Sequence, residues 1–113
     1  MQSDADSELV NKQTPDLHSD AELILSGMGD SAKSFREQLG SFVYESGSSS
    51  HSQMRGITTS ENGDKYLGEW NLHTNQKEGK GIKLFISCGS IYEGSWLEDK
   101  PNGKGRIIHN DGT

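Results

Sequence analysis

The sequence predicts a mainly β protein, a stack of antiparallel β-hairpins preceded by a largely disordered acidic arm with one short helix. Three observations predict it. One phrase is written twice in the second half: Tyr66-Leu-Gly68-Glu-Trp70 followed by Gly79-Lys-Gly81, then Tyr92-Glu-Gly94-Ser-Trp96 followed by Gly103-Lys-Gly105, which marks a repeat array. Ten of the fourteen glycines lie from Gly56 onward, a density unfavourable to helix. The segments behind each Gly-x-Gly, Ile82-Lys-Leu-Phe-Ile86 and Arg106-Ile-Ile-His109, carry branched and aromatic residues that favour strands.

Residues 1–53 form the arm. It holds nine acidic and three basic side chains, whereas residues 54–113 hold eight of each, so the negative excess sits in the arm. Up to about Ser34 the arm is polar, serine-rich and poor in aromatics, a composition that predicts disorder. Two stretches fit a capping box, Ser19-Asp-Ala-Glu22 and Ser34-Phe-Arg-Glu37, in which serine and glutamate satisfy free amides of a helix's first turn. Behind the second, Phe35, Leu39, Phe42 and Val43 fall on one stripe that ends near Gly47, predicting a helix over 31–45. Gly40 inside it costs about 1 kcal/mol relative to alanine. Such a helix is expected to dock on the array's own open N-terminal edge, or else on another protein. The tract from Ser46 to Ser52 reads as a flexible linker.

The array occupies 54–113: a partial repeat at 54–62, full repeats at 63–88 and 89–111, and the start of another at 112. Gly63, Gly89 and Gly112 each open a unit, with Tyr66 and Tyr92 three residues after the first two. Alternation along a strand puts Tyr66, Gly68 and Trp70 on one side, as it does Tyr92, Gly94 and Trp96. A glycine between two large rings leaves a slot for a neighbouring repeat's ring, which predicts a continuous aromatic layer. Glu69 and Glu93 then fall outward as solvated strand charges. Turns are expected over Asn71 to Glu78 and Leu97 to Asn102, with Pro101-Asn102-Gly103 the stronger signal. The sequence stops at Gly112-Thr113, two residues short of the next expected tyrosine, and so reads as a fragment of a longer array or a short member of its kind.

This pattern resembles the MORN repeat (membrane occupation and recognition nexus): Tyr-x-Gly-x-Trp, a turn, then Gly-x-Gly and an apolar strand ending near another glycine. The resemblance covers about 56–113. Three positions depart from it: Lys83 stands where an aromatic is common, Arg106 replaces an aliphatic, and His109 takes the slot filled by Phe85. The resemblance implies a non-catalytic module. It occurs in junctophilins, radial spoke head proteins, alsin-like exchange factors, phosphatidylinositol phosphate kinases and a histone lysine methyltransferase, and serves there in membrane or phospholipid contact, dimerisation and cytoskeletal or ciliary scaffolding.

Candidate chemical sites have plainer readings. A P-loop needs a glycine separated by four residues from Gly-Lys and Ser or Thr after it, and around Gly79-Lys-Gly81 and Gly103-Lys-Gly105 those places hold Thr74 and Gly81, or Glu98 and Gly105. His18, His51, His73, His109 and Cys88 show no metal-ligand spacing. No serine has a hydrolase's Gly-x-Ser-x-Gly context. The expectation is therefore no enzyme, no cofactor and no metal. A neutral array lacks the basic stripe of a nucleic-acid binder. The longest apolar runs, Leu23-Ile-Leu25 and Leu84-Phe-Ile86, are far too short to span a bilayer. The acidic start lacks the features of a signal peptide, and the single cysteine suits the cytoplasm. Lys80, Lys83, Lys100, Lys104 and Arg106 recur near the returning strands as candidates for contact with a partner or an anionic phospholipid, if they face one way. The reading is a scaffold or adaptor, in the cytoplasm beside a membrane or the cytoskeleton. It would bind a protein or further repeats through the aromatic layer or the open strand edge. The alternative is a regulatory segment ahead of an enzyme such as a phosphatidylinositol phosphate kinase.

Overall fold

The computed structural model describes residues 16–17, 21–44 and 51–111. Five strands form one antiparallel meander in sequence order: β1 (Ser52–Thr59), β2 (Lys65–Asn71), β3 (Lys77–Phe85), β4 (Ser90–Leu97) and β5 (Lys100–Ile108). Among the described residues two short helices precede them, α1 (Ala21–Leu25) and α2 (Asp30–Leu39). The chain is mainly β, as the repeated phrase predicts.

The repeat appears as a register. Gly68 pairs with Gly81, Gly81 with Gly94 and Gly94 with Gly105, so one row of glycines crosses β2 to β5. Past the row both hairpins carry the same irregularity, with Trp70 opposite Lys77 and Trp96 opposite Pro101. In the first, the Glu69 carboxylate fixes it by accepting from the Lys80 amide at 2.7 Å. The hairpin ends repeat as well: the Ile86 amide donates to Asp64 Oδ1 at 2.9 Å, and the Asn110 amide donates to Ser90 Oγ at 3.2 Å.

The second turn falls within the expected Leu97–Asn102 span, but at Glu98-Asp99 and not at Pro101-Asn102-Gly103. Glu98 and Asp99 both take positive φ and close a two-residue loop between the paired Leu97 and Lys100. Asp99 also accepts from the Lys77 amide at 2.7 Å. Pro101 instead sits in β5, and a proline without an N–H is tolerated there because β5 is an edge strand. In the first hairpin Asn71 Oδ1 accepts from the amides of His73 and Thr74, an Asx-type turn. Of the expected linker, 46–50 lie outside the described residues, while Ser52 already opens β1.

The arm departs most from expectation. Its described part is helical and packed, and it does not sit on the N-terminal edge of the sheet. α1 lies over β2 and β3, and α2 lies beside β5, so the helices cover a face. Ala21, Ile24, Leu25, Met28 and Ala32 join Leu67, Ile82, Leu84, Ile91 and Ile108 in one buried cluster. The expected helix over 31–45 is displaced toward the N-terminus. It begins after an extended Gly29, with Asp30 in the first turn, where a negative charge suits the helix dipole. Ser34 lies inside it and is no cap. Gly40, at φ 82°, ends it by donating its amide to the Arg36 carbonyl, the role a glycine fills just past a helix. The predicted stripe is split accordingly: Phe35 packs against the core, while Leu39 and Val43 are exposed. The other capping serine, Ser19, lies outside the described residues.

Candidate interaction surface

With helices on one face, the aromatic repeat residues share the other. Tyr66, Tyr92 and Trp96 are buried together, with Trp70 and Phe85 packed against them. Each tyrosine lies over its own glycine pair. A β-carbon built on Gly68 or Gly81 would collide with the Tyr66 ring, and one on Gly94 or Gly105 with the Tyr92 ring. The slot is thus filled by the same repeat's tyrosine, with the neighbouring tryptophan packed beside it. Each phenol reaches past the glycines to a backbone carbonyl, Tyr66 donating to Glu69 at 2.9 Å and Tyr92 to Ser95 at 3.0 Å. Burial, aided by the Glu69 carboxylate, lifts the Tyr66 phenol above its ordinary range, so it stays a donor.

The rings form a continuous edge-to-face run. Tyr66 meets Trp70 with centroids 5.4 Å apart and Trp96 at 5.3 Å, and Trp96 meets Tyr92 at 5.3 Å, with interplanar angles from 82° to 88°. Neither indole N–H has a conventional acceptor. Perpendicular stacking is the arrangement that offers such a donor the π face of a neighbouring ring.

Cations gather on these rings. The Lys77 ammonium lies 5.4 Å from the Tyr66 centroid and 5.2 Å from that of Trp70, and Lys83 lies 5.0 Å from Phe85. Lys83 also faces Asp64 at 3.7 Å. Together with Thr58, Thr59, Ser60 and Lys65 they line an open cleft of about 180 Å³ floored by Tyr66 and Trp70. This is a shallow groove of aromatic faces, ammonium groups and hydroxyls, and holds no nucleophile paired to a base.

The opposite face corrects the reading of the strand carboxylates. Glu93 is not solvated: it is 1% exposed and pinned between two guanidinium groups. Arg36 of α2 reaches it at 2.6 Å and Arg106 of β5 at 2.9 Å. Arg106 also donates to the Gly40 carbonyl at 2.7 Å and covers the Phe42 ring. One buried carboxylate therefore ties the arm to the second repeat. Burial, and then the Glu93 charge, raise the neighbouring Tyr44 phenol above its ordinary range. Glu69 is half-buried on the Lys80 amide.

The five candidate cations do not form one ladder. Lys83 stands opposite Tyr66 and Tyr92 on the aromatic face, whereas Arg106 stands opposite Glu93 on the helix face. Lys80 pairs with Ser95, Lys100 opens β5 opposite Leu97, and Lys104 lies in β5 between Gly103 and Gly105. Lys77, which is not one of these five, joins the rings. Among the described residues no helix is long and apolar enough to cross a membrane. Cys88, exposed in the turn between β3 and β4, has its thiol held below the ordinary value by hydrogen bonds from Ser90.

A meander whose tyrosines, glycines and tryptophans recur in register defines a hairpin-repeat module. The family model described as the MORN repeat matches residues 92–113, and the chain carries a MORN repeat there. No curated protein matches the chain at a significant level.

Proposed function

We propose that the chain is a non-catalytic scaffold or adaptor that takes a protein partner on its aromatic face and along the free edge of β5. The observation that carries this is the asymmetry of the sheet: its own helices cover one face, and the face of Tyr66, Trp70, Tyr92 and Trp96 keeps an open cleft. Aromatic rings with cations beside them are the groups that dominate protein contacts. The MORN-repeat match supports an interaction module of this kind. Ile107, 54% exposed and paired with Tyr92, extends the surface to β5, whose Lys100, Pro101 and Lys104 guard the edge against indiscriminate pairing. Phospholipid contact by the five candidate cations is the weaker reading, because they are divided between faces and Arg106 is committed to Glu93.

Photo-crosslinking in cells tests the proposal. A benzophenone amino acid placed at Thr58 or Ile107, on the open side, is expected to capture a discrete protein. The same group at Leu23, exposed on α1, should not. Adducts from Leu23 alone, or from none of the three, contradict it.

A further inference from the structure

At the end of the sheet away from β5, two imidazoles meet. His51, just before β1, and His73, in the turn between β2 and β3, bring Nδ1 and Nε2 to 3.1 Å, with the rings at 84° and their centroids 4.3 Å apart. Both mounts are pinned. The Leu72 amide donates to the His51 carbonyl at 2.8 Å, and the His73 amide donates to Asn71 Oδ1 at 2.7 Å.

We propose that His51 and His73 form a two-imidazole site for a divalent transition metal of the zinc or copper class. Two imidazole nitrogens held about 2.0–2.1 Å from one tetrahedral metal lie roughly 3.3 Å apart, close to the 3.1 Å they show here, and the two exposed rings must also swing out of their edge-to-face contact so that both lone pairs converge on the metal. Binding requires both facing nitrogens to offer lone pairs. The proton now shared between them passes to the far nitrogen of its own ring, with no net change in protonation. Imidazole donors favour zinc, copper and nickel over magnesium or calcium. No third His, Cys, Asp or Glu completes the shell among the described residues, so water fills the remaining positions. Arg55, bonded to Asn75 of the same turn at 2.9 Å, adds a positive charge nearby. Both features make the site weak and exchangeable. Metal there would tie the start of β1, where the arm enters the array, to the turn after β2.

The test is calorimetric titration of the untagged full chain with Zn²⁺, paired with imidazole NMR spectra. Saturable binding of one equivalent is expected, with the His51 and His73 ring signals shifting together. Replacing either residue, His51→Ala or His73→Ala, should weaken binding at least about tenfold. His109→Ala and Cys88→Ser should leave it unchanged. The rings are exposed, so these variants keep the fold. No saturable binding at millimolar metal, or binding that survives His51→Ala or is lost in Cys88→Ser, overturns the assignment.

Discussion

Gly68→Ala is expected to abolish cooperative folding of the array near physiological temperature. A β-carbon at Gly68 would lie 2.5 Å from the Cα of Gly81, 2.5 Å from the Lys80 carbonyl oxygen and 2.5 Å from the Tyr66 hydroxyl. Two of these neighbours are backbone of the adjoining strand and have no rotamer to escape into. The third is anchored on the Glu69 carbonyl. Relief therefore means parting β2 from β3 or expelling the Tyr66 ring, and expelling the ring breaks the aromatic run at its centre. Overpacking a tight site costs typically about 1–3 kcal/mol, and this one stands at or above the upper end because backbone is hit. For a domain this small each kcal/mol moves the thermal midpoint by about 4–8 °C. Gly56→Ala is the control, since a β-carbon there meets nothing within 4 Å. Thermal denaturation followed by near-ultraviolet circular dichroism should show Gly56→Ala near the parent and Gly68→Ala far below it. Similar midpoints would contradict the close approach.

Glu93→Ala is the second large effect. The substitution leaves Arg36 and Arg106, both four-fifths buried, facing each other without a counter-charge. Breaking a buried ion network by removing one partner costs about 3–5 kcal/mol. Arg36→Ala should cost less, about 1.5–3 kcal/mol, because Arg106 still neutralises the carboxylate. In the Glu93→Ala background the same Arg36 change should cost little, since the guanidinium has already lost its partner. Urea denaturation of the four proteins in a double-mutant cycle reads this coupling. Additive effects would show that Arg36 and Glu93 act independently.

Much of the array was legible in the sequence. Strict repetition fixes strand count and register once Tyr66 and Tyr92, Gly68 and Gly94, and Trp70 and Trp96 are aligned, and period-two alternation then places the rings together. The role of Glu93 was not legible on the assumption that only one face of the sheet is covered. A signal existed: Leu67, Ile82, Leu84, Ile91 and Ile108 make the second face apolar too, and strands hidden on both sides read as nearly continuous hydrophobic runs. What covers that face was also written in the chain. Ala21, Ile24, Leu25, Met28 and Ala32 follow a helical spacing, interrupted by Gly27 and Gly29, which divide it into two helices. The turn falls inside the expected Leu97–Asn102 span, but its position at Glu98-Asp99 was not legible because Pro101-Asn102-Gly103 carries stronger turn chemistry, and only the edge position of β5 frees that tripeptide to be strand. For the open cleft, alternation placed Lys83 opposite the tyrosines, but the irregular pairing that brings Lys77 over the rings has no sequence signature. The meeting of His51 and His73 was invisible because hairpin closure, and not sequence spacing, joins them.

Methyl and aromatic nuclear Overhauser contacts in the full chain test the central claim, that helices α1 and α2 close one face of the sheet and stay off the aromatic face. Contacts are predicted from the Ile24, Leu25 and Met28 methyls to Leu67 and Leu84, while the Trp70 and Trp96 indole protons contact Tyr66 and Tyr92 and nothing from residues 21–39. Contacts between those helical methyls and either indole, or none from the helices to the sheet, would contradict it.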